Sequence, residues 1–526
     1  MGDFSKYVLA MYDVRGKQEF IYRSNSLKEI VGGSWIIRDI YDDYLLGKSN
    51  DGECKIVGDD KPFSIKNFED SMDDISQKKD GEIVYRGGGN FLVLFRDEDA
   101  LKRINRYFTK KILQEIGTLN VLCSYIVGID PDNYREDSRK LYHQHAIDEG
   151  RYPVLMPCNA LPVVQVDHMT SMPMTNENPN PMSSNDRYVT KENYQKLMKF
   201  RNSVKDEKRN DEKFFDEMVT DKGEESLLAV IYFDGNGMGA KVENCLNDST
   251  EIDSKTGSFV KAPYDECIPA LREFSKNLQK EYVTDRLTAI DRMLDKKGKK
   301  QKKTKHRAVV YAGDEMTLVC NAHDVINVLK AYFDSNDCSS CAGAAIFHSH
   351  APYSEAYRIA EECCENGKKY MKKHQMKDAC LFDFYYCQGG IGSSLDKIRE
   401  KENGTLFSTP WFIKISEEEK KNLNNANFNH DTAGQTVIDF SAVEEMVAVL
   451  NNLGRSNVKG LLNAVREGAS SYLLEIERIN AHRKDKEHLD FSLDKKLSLT
   501  EQRKLIFDIV TVYDLWFADK EDYVNA

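Results

Sequence analysis

Val310-Tyr311-Ala312-Gly313-Asp314-Glu315-Met316-Thr317-Leu318-Val319 aligns without a gap on Val84-Tyr85-Arg86-Gly87-Gly88-Gly89-Asn90-Phe91-Leu92-Val93. In each stretch two apolar runs flank a short turn, the pattern of a β-hairpin. A second match precedes each hairpin. Tyr7-Val8-Leu9-Ala10-Met11-Tyr12-Asp13 resembles Leu228-Ala229-Val230-Ile231-Tyr232-Phe233-Asp234. The order strand, helix, hairpin, helix, strand, helix occurs twice, which makes the chain an internal repeat. Helix-on-sheet layers follow from that order, so the expected class is α+β. The arrangement β-α-β-β-α-β is that of the ferredoxin-like palm.

Working outward, the second copy reads as strand 228–234, helix 263–284, hairpin 307–320, helix 323–333, strand 342–347, helix 354–373 and strand 381–386. Between the copies, 152–221 is punctuated by six prolines and reads as an irregular connector. After about residue 388 the period changes. Stretches 443–453, 458–479 and 500–517 carry apolar faces at helical spacing. The expected domains are therefore a first palm (1–151), a connector (152–225), a second palm (226–390) and a C-terminal helical domain (391–526).

The chain has 526 residues and a net charge of -12. That charge excludes a global polycation for nucleic acid and leaves only local contacts. No secretory leader and no apolar run of membrane-spanning length is read. A cytoplasmic protein without a membrane partner is expected. The twelve cysteines read as buried free thiols of a reducing compartment. Cys338-Ser339-Ser340-Cys341 has no second Cys pair at zinc spacing.

The chemistry-bearing residues sit where strands end. Leu228–Phe233 runs into Asp234-Gly235-Asn236-Gly237-Met238-Gly239, and the second hairpin carries Asp314 and Glu315 at its tip. Carboxylates at two strand ends beside a glycine-rich turn suit a divalent-metal nucleotide site. In the gapless alignment Gly88 and Gly89 stand at the places of Asp314 and Glu315, so the first palm is expected to be catalytically silent although Asp13 survives. Asp314 taken alone reads first as a turn residue, and Asp234 with the repeat register turns the reading to a metal site. The loop 296–307 is densely basic; it reads as a solvated loop or as a contact for RNA phosphate.

Taken together these motifs resemble the large polymerase-cyclase subunit of type III CRISPR effector complexes, a relative of GGDEF proteins. Asp13-Val14-Arg15-Gly16-Lys17-Gln18-Glu19-Phe20-Ile21 and Ser26-Leu27-Lys28-Glu29-Ile30-Val31-Gly32-Gly33-Ser34 are similar to its opening segment in Cmr-type complexes. His350-Ala351-Pro352-Tyr353-Ser354-Glu355-Ala356-Tyr357 is similar to the entry of its last palm helix. The resemblance implies RNA-activated synthesis of an adenylate second messenger from ATP. The product would be a cyclic oligoadenylate or an AMP conjugate. It implies Mg²⁺ or Mn²⁺ on Asp234, Asp314 and Glu315 as metal-binding, catalytic residues. Two such ions activate a 3′-hydroxyl and neutralise the leaving charge. ATP would lie against Gly235, Asn236, Gly237, Met238, Gly239, Ala312, Gly313, Ser354 and Lys368, with Lys368 as counter-charge to the triphosphate. The implied partners are other subunits of the ribonucleoprotein, among them a small helical one, with guide RNA and target RNA reached through the complex.

Three departures qualify this. The GGDD tetrad of the family stands here as Ala312-Gly313-Asp314-Glu315. No histidine precedes His143, so no HD nuclease is expected. Cys158 is the lone cysteine of the connector, so no zinc is expected there. Two other functions fit the same residues: a catalytically spent, RNA-binding scaffold of such a complex, and a free-standing cyclic dinucleotide synthase of GGDEF type.

Overall fold

The computed structural model describes residues 4–517, except 25, 47–55, 59–61, 74–78, 88–89, 155–162, 180–186, 204–217, 219–225, 253–258, 297–305, 335–338, 388–392, 404–405, 418, 420–437, 483–487 and 495–496. In chain order its elements begin β1 (Val8–Arg15), α1 (Lys17–Tyr22), α2 (Leu27–Ile40), β2 (Ile56–Val57), α3 (Ile65–Asp73), β3 (Gly81–Gly87), β4 (Asn90–Phe95), α4 (Glu98–Glu115), β5 (Asn120–Val127) and α5 (Tyr134–Arg151). Next come β6 (Met174–Glu177), β7 (Tyr188–Thr190), α6 (Lys191–Ser203), β8 (Leu227–Gly235), α7 (Met238–Cys245), β9 (Glu251–Ile252), β10 (Phe259–Lys261), α8 (Tyr264–Gln279) and α9 (Asp285–Lys296). The remainder is β11 (His306–Ala312), β12 (Glu315–Asn321), α10 (Val325–Asp334), β13 (Ser340–His348), α11 (Tyr353–Lys373), β14 (Cys380–Tyr386), α12 (Leu395–Asn403), β15 (Trp411–Lys414), α13 (Phe440–Asn451), α14 (Arg455–Glu467), α15 (Ala469–His482) and α16 (Leu499–Trp516). Helix and sheet are mixed throughout.

Two compact units interleave along the chain. The first is Met1–Glu212 with Gly237–Thr284 and Val309–Asp314; the second is Lys213–Asn236 with Asp285–Ala308 and Glu315–Ala526. Chain order had suggested contiguous palms.

The first unit is built on the sheet β2-β3-β4-β1-β5, with β1 antiparallel to both β4 and β5. Strand β1 is buried from Val8 to Tyr12 because both of its faces are covered. On one face Leu9, Met11, Val84, Leu92 and Leu94 pack with Phe68, Leu141, Tyr264, Ile268 and Leu271. Tyr264, Ile268 and Leu271 lie on α8, which explains why 237–284 belongs here. The entry to α8 is also tied to α5: Tyr134 N donates to Ala262 O at 2.7 Å and Tyr264 N to Pro131 O at 3.0 Å. On the other face Tyr41 stacks on Phe91 at 4.5 Å.

The expected irregular connector is corrected in part, since it contains the β6–β7 pair and the helix α6. Proline-rich flanks hid α6 from composition. Its Lys196 is fully buried, bonded to Glu192 at 2.6 Å and to Phe20 O, with Nζ over the Phe20 ring.

The second unit's sheet runs β12-β8-β13-β14-β15, with β11 joined to β12 as a hairpin. Strand β8 is antiparallel to β12 and β13, and β13 is parallel to β14. Counted within each repeat, the four strands lie in the order fourth, first, third, second in both units. Phe233 stacks on Tyr332 of α10 at 3.9 Å, while Tyr232 meets Tyr357 of α11 edge-on at 5.8 Å. Helices thus cover both faces of β8, which is why its sequence is one unbroken apolar run.

Helix α16 starts with a capping box formed by Ser498 and Glu501. It packs onto β14 through Trp516 against Phe384 at 4.7 Å. The stretch expected as one helix over 458–479 is two, α14 and α15, broken at Gly468 with φ 137. Strand β15 was not foreseen. Cys123, Cys245, Cys267, Cys320, Cys341, Cys363, Cys364, Cys380 and Cys387 are free thiols. Cys338, Cys158 and most of the basic loop (297–305) lie outside the described residues. Among the described residues no helix is long and apolar enough to cross a membrane.

Candidate functional site

In the second unit the buried run of β8 ends in Asp234, and pairing fixes its neighbours: Glu315 of β12 on one side and Cys341 of β13 on the other. Directly opposite residues on adjacent strands present their side chains on the same face, with Cβ atoms about 4.5–5.5 Å apart. Asp234 and Glu315 are therefore a carboxylate pair made by register. Tyr232 lies two residues before Asp234, so the pair is on the face that α11 covers.

That helix lies close because Gly343, opposite Tyr232 on β13, has no side chain. A Cβ there would stand 2.0 Å from Ala360 O and 2.4 Å from Cys364 N. The approach brings Lys368 Nζ to 2.5 Å from Asp234 Oδ2 and 3.2 Å from Gly235 O. Burial pushes the Asp234 pKa up, and Lys368 opposes that shift without cancelling it. Burial works against the Lys368 charge as well, but the Asp234 carboxylate outweighs it and leaves the Lys368 pKa raised. Burial pushes the Cys341 thiol up to about 12, so it is an inert neighbour.

The glycine-rich turn is built in a way the sequence did not show. Gly235 still belongs to β8, opposite Ser340. Asn236 is turned inward and buried: its Nδ2 donates to Ser339 Oγ at 2.8 Å and to Ala379 O at 3.0 Å. Gly237 has φ 65 and ψ 30, which favours glycine, and it starts α7. Gly237 and Gly239 have open space at their Cβ positions. Ser354 is at the first turn of α11, 14 residues or about 21 Å along the helix from Lys368. The structure does not bring Ser354 together with the Asp234 end of the sheet.

In the first unit the hairpin tip is lined up with a cavity. Ala312 ends β11, and Gly313 follows at φ 65 as the first residue of a two-residue loop. Asp314 and Met238 line a cavity of about 540 Å³ with Tyr85, Asn90, Tyr134, Arg135, Arg139, Tyr142, Val242 and Phe274. Aromatic faces with two guanidinium groups suit a planar ring carrying anionic groups. Arg135 is held by Glu243, and Arg139 lies 2.5 Å from Glu136. Burial pushes the Tyr85 hydroxyl up to about 12, with Tyr142 and Asp314 adding to it. Sequence reasoning missed the α5 residues. Arg135, Ser138, Arg139 and Tyr142 follow helical spacing on one face, which was a usable signal.

Register also corrects the comparison of the two hairpins. Asp13 faces Asn90, where Asp234 faces Glu315. Asn90 therefore stands opposite the aspartate of its unit as Glu315 does in the other. Strand β3 carries a bulge between Ile83 and Tyr85, which moves the turn by one residue relative to the gapless alignment. Gly88 and Gly89 themselves lie outside the described residues.

Could these residues hold a divalent ion? Among the described residues no group of three or more His, Cys, Asp or Glu is gathered for one metal. Mg²⁺, however, takes one or two carboxylates and completes its shell with phosphate and water oxygens. Asp234 and Glu315 are hard oxygen donors on one face, and burial already disfavours the lone charge of Asp234. The donor chemistry fits.

No family model and no curated protein matches the chain. Among solved structures it is similar to the apo Csm1-Csm4 cassette, with a TM-score of 0.48 and 11% identity over 96% of this chain and 70% of that one. It is similar to the cassette in complex with one ATP, with a TM-score of 0.47 and 13% identity over 96% and 70%. For the cassette in complex with AMPPNP the TM-score is 0.41 at 13% identity, over 81% of this chain and 62% of that one.

Proposed function

We propose that the chain is a metal-dependent nucleotidyltransferase that joins adenylate units from ATP, working as the large subunit of an RNA-activated type III CRISPR complex in the cytoplasm. The observation that carries the chemistry is the in-register pair Asp234–Glu315 with Lys368 against it. The strand order shared by the two units supports the tandem-palm reading. The repeated motifs and their order support the complex. Mg²⁺ or Mn²⁺, when bound, supplies charge for the hydroxyl that attacks and for the pyrophosphate that leaves.

The chain's own residues have separable tasks. Asp234 and Glu315 hold the ion. Lys368 restrains Asp234 when no ion is present and turns to phosphate oxygens when nucleotide enters. Gly237 and Gly239 leave room for the triphosphate at the start of α7. The first unit's own cavity offers the ring faces of Tyr85, Tyr142 and Phe274. Positioning and charge neutralisation then account for most of the rate.

The test is mass spectrometry of products from the purified chain given Mg²⁺ or Mn²⁺ and ATP, with and without partner subunits and target RNA. An adenylate product that requires RNA and disappears in Asp234→Ala is expected. Bound nucleotide with no product under any condition would replace this reading by a scaffold. Product from the chain alone, without RNA, would replace it by a free-standing synthase.

A further inference from the structure

We infer that Asn236 is a positioning residue of the metal-binding strand end and does not contact nucleotide. The inference rests on the proposed function. Three bonds fix this residue: its backbone N donates to Ser339 O at 2.9 Å, and its Nδ2 to Ser339 Oγ at 2.8 Å and Ala379 O at 3.0 Å. Ser339 Oγ in turn donates to Ala379 O at 3.0 Å. Ser339 directly precedes β13 and Ala379 directly precedes β14. One amide thus ties the end of β8 to the start of its neighbour β13 and to the start of β14 beyond it.

The turn after β8 makes such an anchor necessary. At Gly237 the backbone enters the left-handed region and leaves the sheet. Without an anchor at Asn236 the last β8 residues, Asp234 and Gly235, would fray into that turn, as strand ends do. Asparagine suits the task because its NH₂ group donates twice, to a hydroxyl and to a carbonyl. An aspartate has the same shape but offers no donor, and it would face Ala379 O with a buried negative charge. The side chain is 7% exposed, and both of its Nδ2 bonds run to residues at the strand starts.

Outer partners that orient metal ligands typically matter 10–100-fold in metal affinity. In the full chain, Mn²⁺ affinity is to be read by the EPR signal of free Mn²⁺, and ATP affinity by a fluorescent ATP analogue without divalent metal. Asn236→Ala and Asn236→Asp should weaken Mn²⁺ binding by roughly 10–100-fold and leave the analogue's affinity unchanged. Ser339→Ala keeps the bond to Ala379 O, so it should fold and shift Mn²⁺ binding in the same direction by less. If the Asn236 variants do not fold, Ser339→Ala decides. Weaker analogue binding with unchanged Mn²⁺ affinity would make Asn236 a nucleotide contact. Unchanged affinity for both, with a lowered melting temperature, would make it a fold support only. Either result overturns the inference. A wild-type chain that binds no Mn²⁺ would overturn the proposed function itself, and the inference with it.

Discussion

Two strand ends in this molecule share a backbone and differ in charge. In both repeats the first strand carries an aspartate near its end, and three residues later a glycine in the left-handed region starts a helix: Gly16 at φ 62 after Asp13, and Gly237 at φ 65 after Asp234. In both, the residue opposite the aspartate is the first of the outgoing hairpin strand. There the likeness stops. Asp234 meets Glu315, but Asp13 meets the neutral Asn90. Among the described residues Asp234 is paired with Lys368 at 2.5 Å, whereas Asp13 has Lys17 at 3.3 Å and His145 at 3.9 Å. Among the described residues the second unit sets Asp234 and Glu315 beside Lys368, and the first sets Asp13 beside Lys17 and His145. On the proposed function the divalent ion belongs to the former.

The comparison breaks first at Glu315. Glu315→Ala should lower adenylate formation by more than about 100-fold, exceeding the loss expected for an outer partner. Asn90→Ala should lose far less, since a neutral amide is a weaker partner for Mg²⁺ than a carboxylate. Rates with Mg²⁺ and ATP in the assembled complex check both. Equal losses would mean that the two ends act together.

Close helix approach offers the next contrast. Gly343→Ala would place a Cβ 2.0 Å from Ala360 O, and Gly32→Ala would place one 1.9 Å from Lys196 O. Each should cost roughly 1–3 kcal/mol or more from overpacking. Thermal melts should fall in both variants. Product formation at a temperature where both remain folded should fall only in Gly343→Ala, because α11 carries Lys368.

How much of this was legible in the sequence? Strand β8 and the β11–β12 hairpin were, because a strand covered on both faces reads as an apolar run and a Gly-Asp turn marks its end. The interleaving of the units was not: Tyr264, Ile268 and Leu271 show only that α8 is amphipathic, not which sheet it covers. Gly468 was passed over because the apolar spacing continues on both sides of it. Asn236 looked like a loop residue, since hydrogen bonds to Ser339 and Ala379, 103 and 143 residues away, leave no local pattern. The Asn90–Glu315 equivalence was hidden by a one-residue bulge.

A smaller effect sharpens the comparison through stability. Among the described residues, each unit buries a carboxyl whose pKa is pushed up to about 7. Burial raises Glu29 from 4.5 to about 7 against the pull of Ser24 and Lys196. Burial likewise raises Asp508 from 3.8 to about 7 against its bonds to Ser408. The folded state therefore holds protons that the unfolded chain releases, and the stability from these groups falls as pH rises from about 4 to about 7. Glu29→Gln and Asp508→Asn should each raise the melting temperature by a few degrees at pH 8 and by less at pH 5. Calorimetry at the two pH values checks this. The opposite pH order would contradict it.

The most direct test sets the two aspartates against each other. Asp13→Ala and Asp234→Ala would each be assembled with partner subunits and target RNA, and their products from ATP and Mg²⁺ quantified by mass spectrometry. The expected result is loss of the adenylate product in Asp234→Ala, with Asp13→Ala close to wild type. Product retained in Asp234→Ala, or lost in Asp13→Ala alone, would contradict the assignment of the chemistry to the second unit.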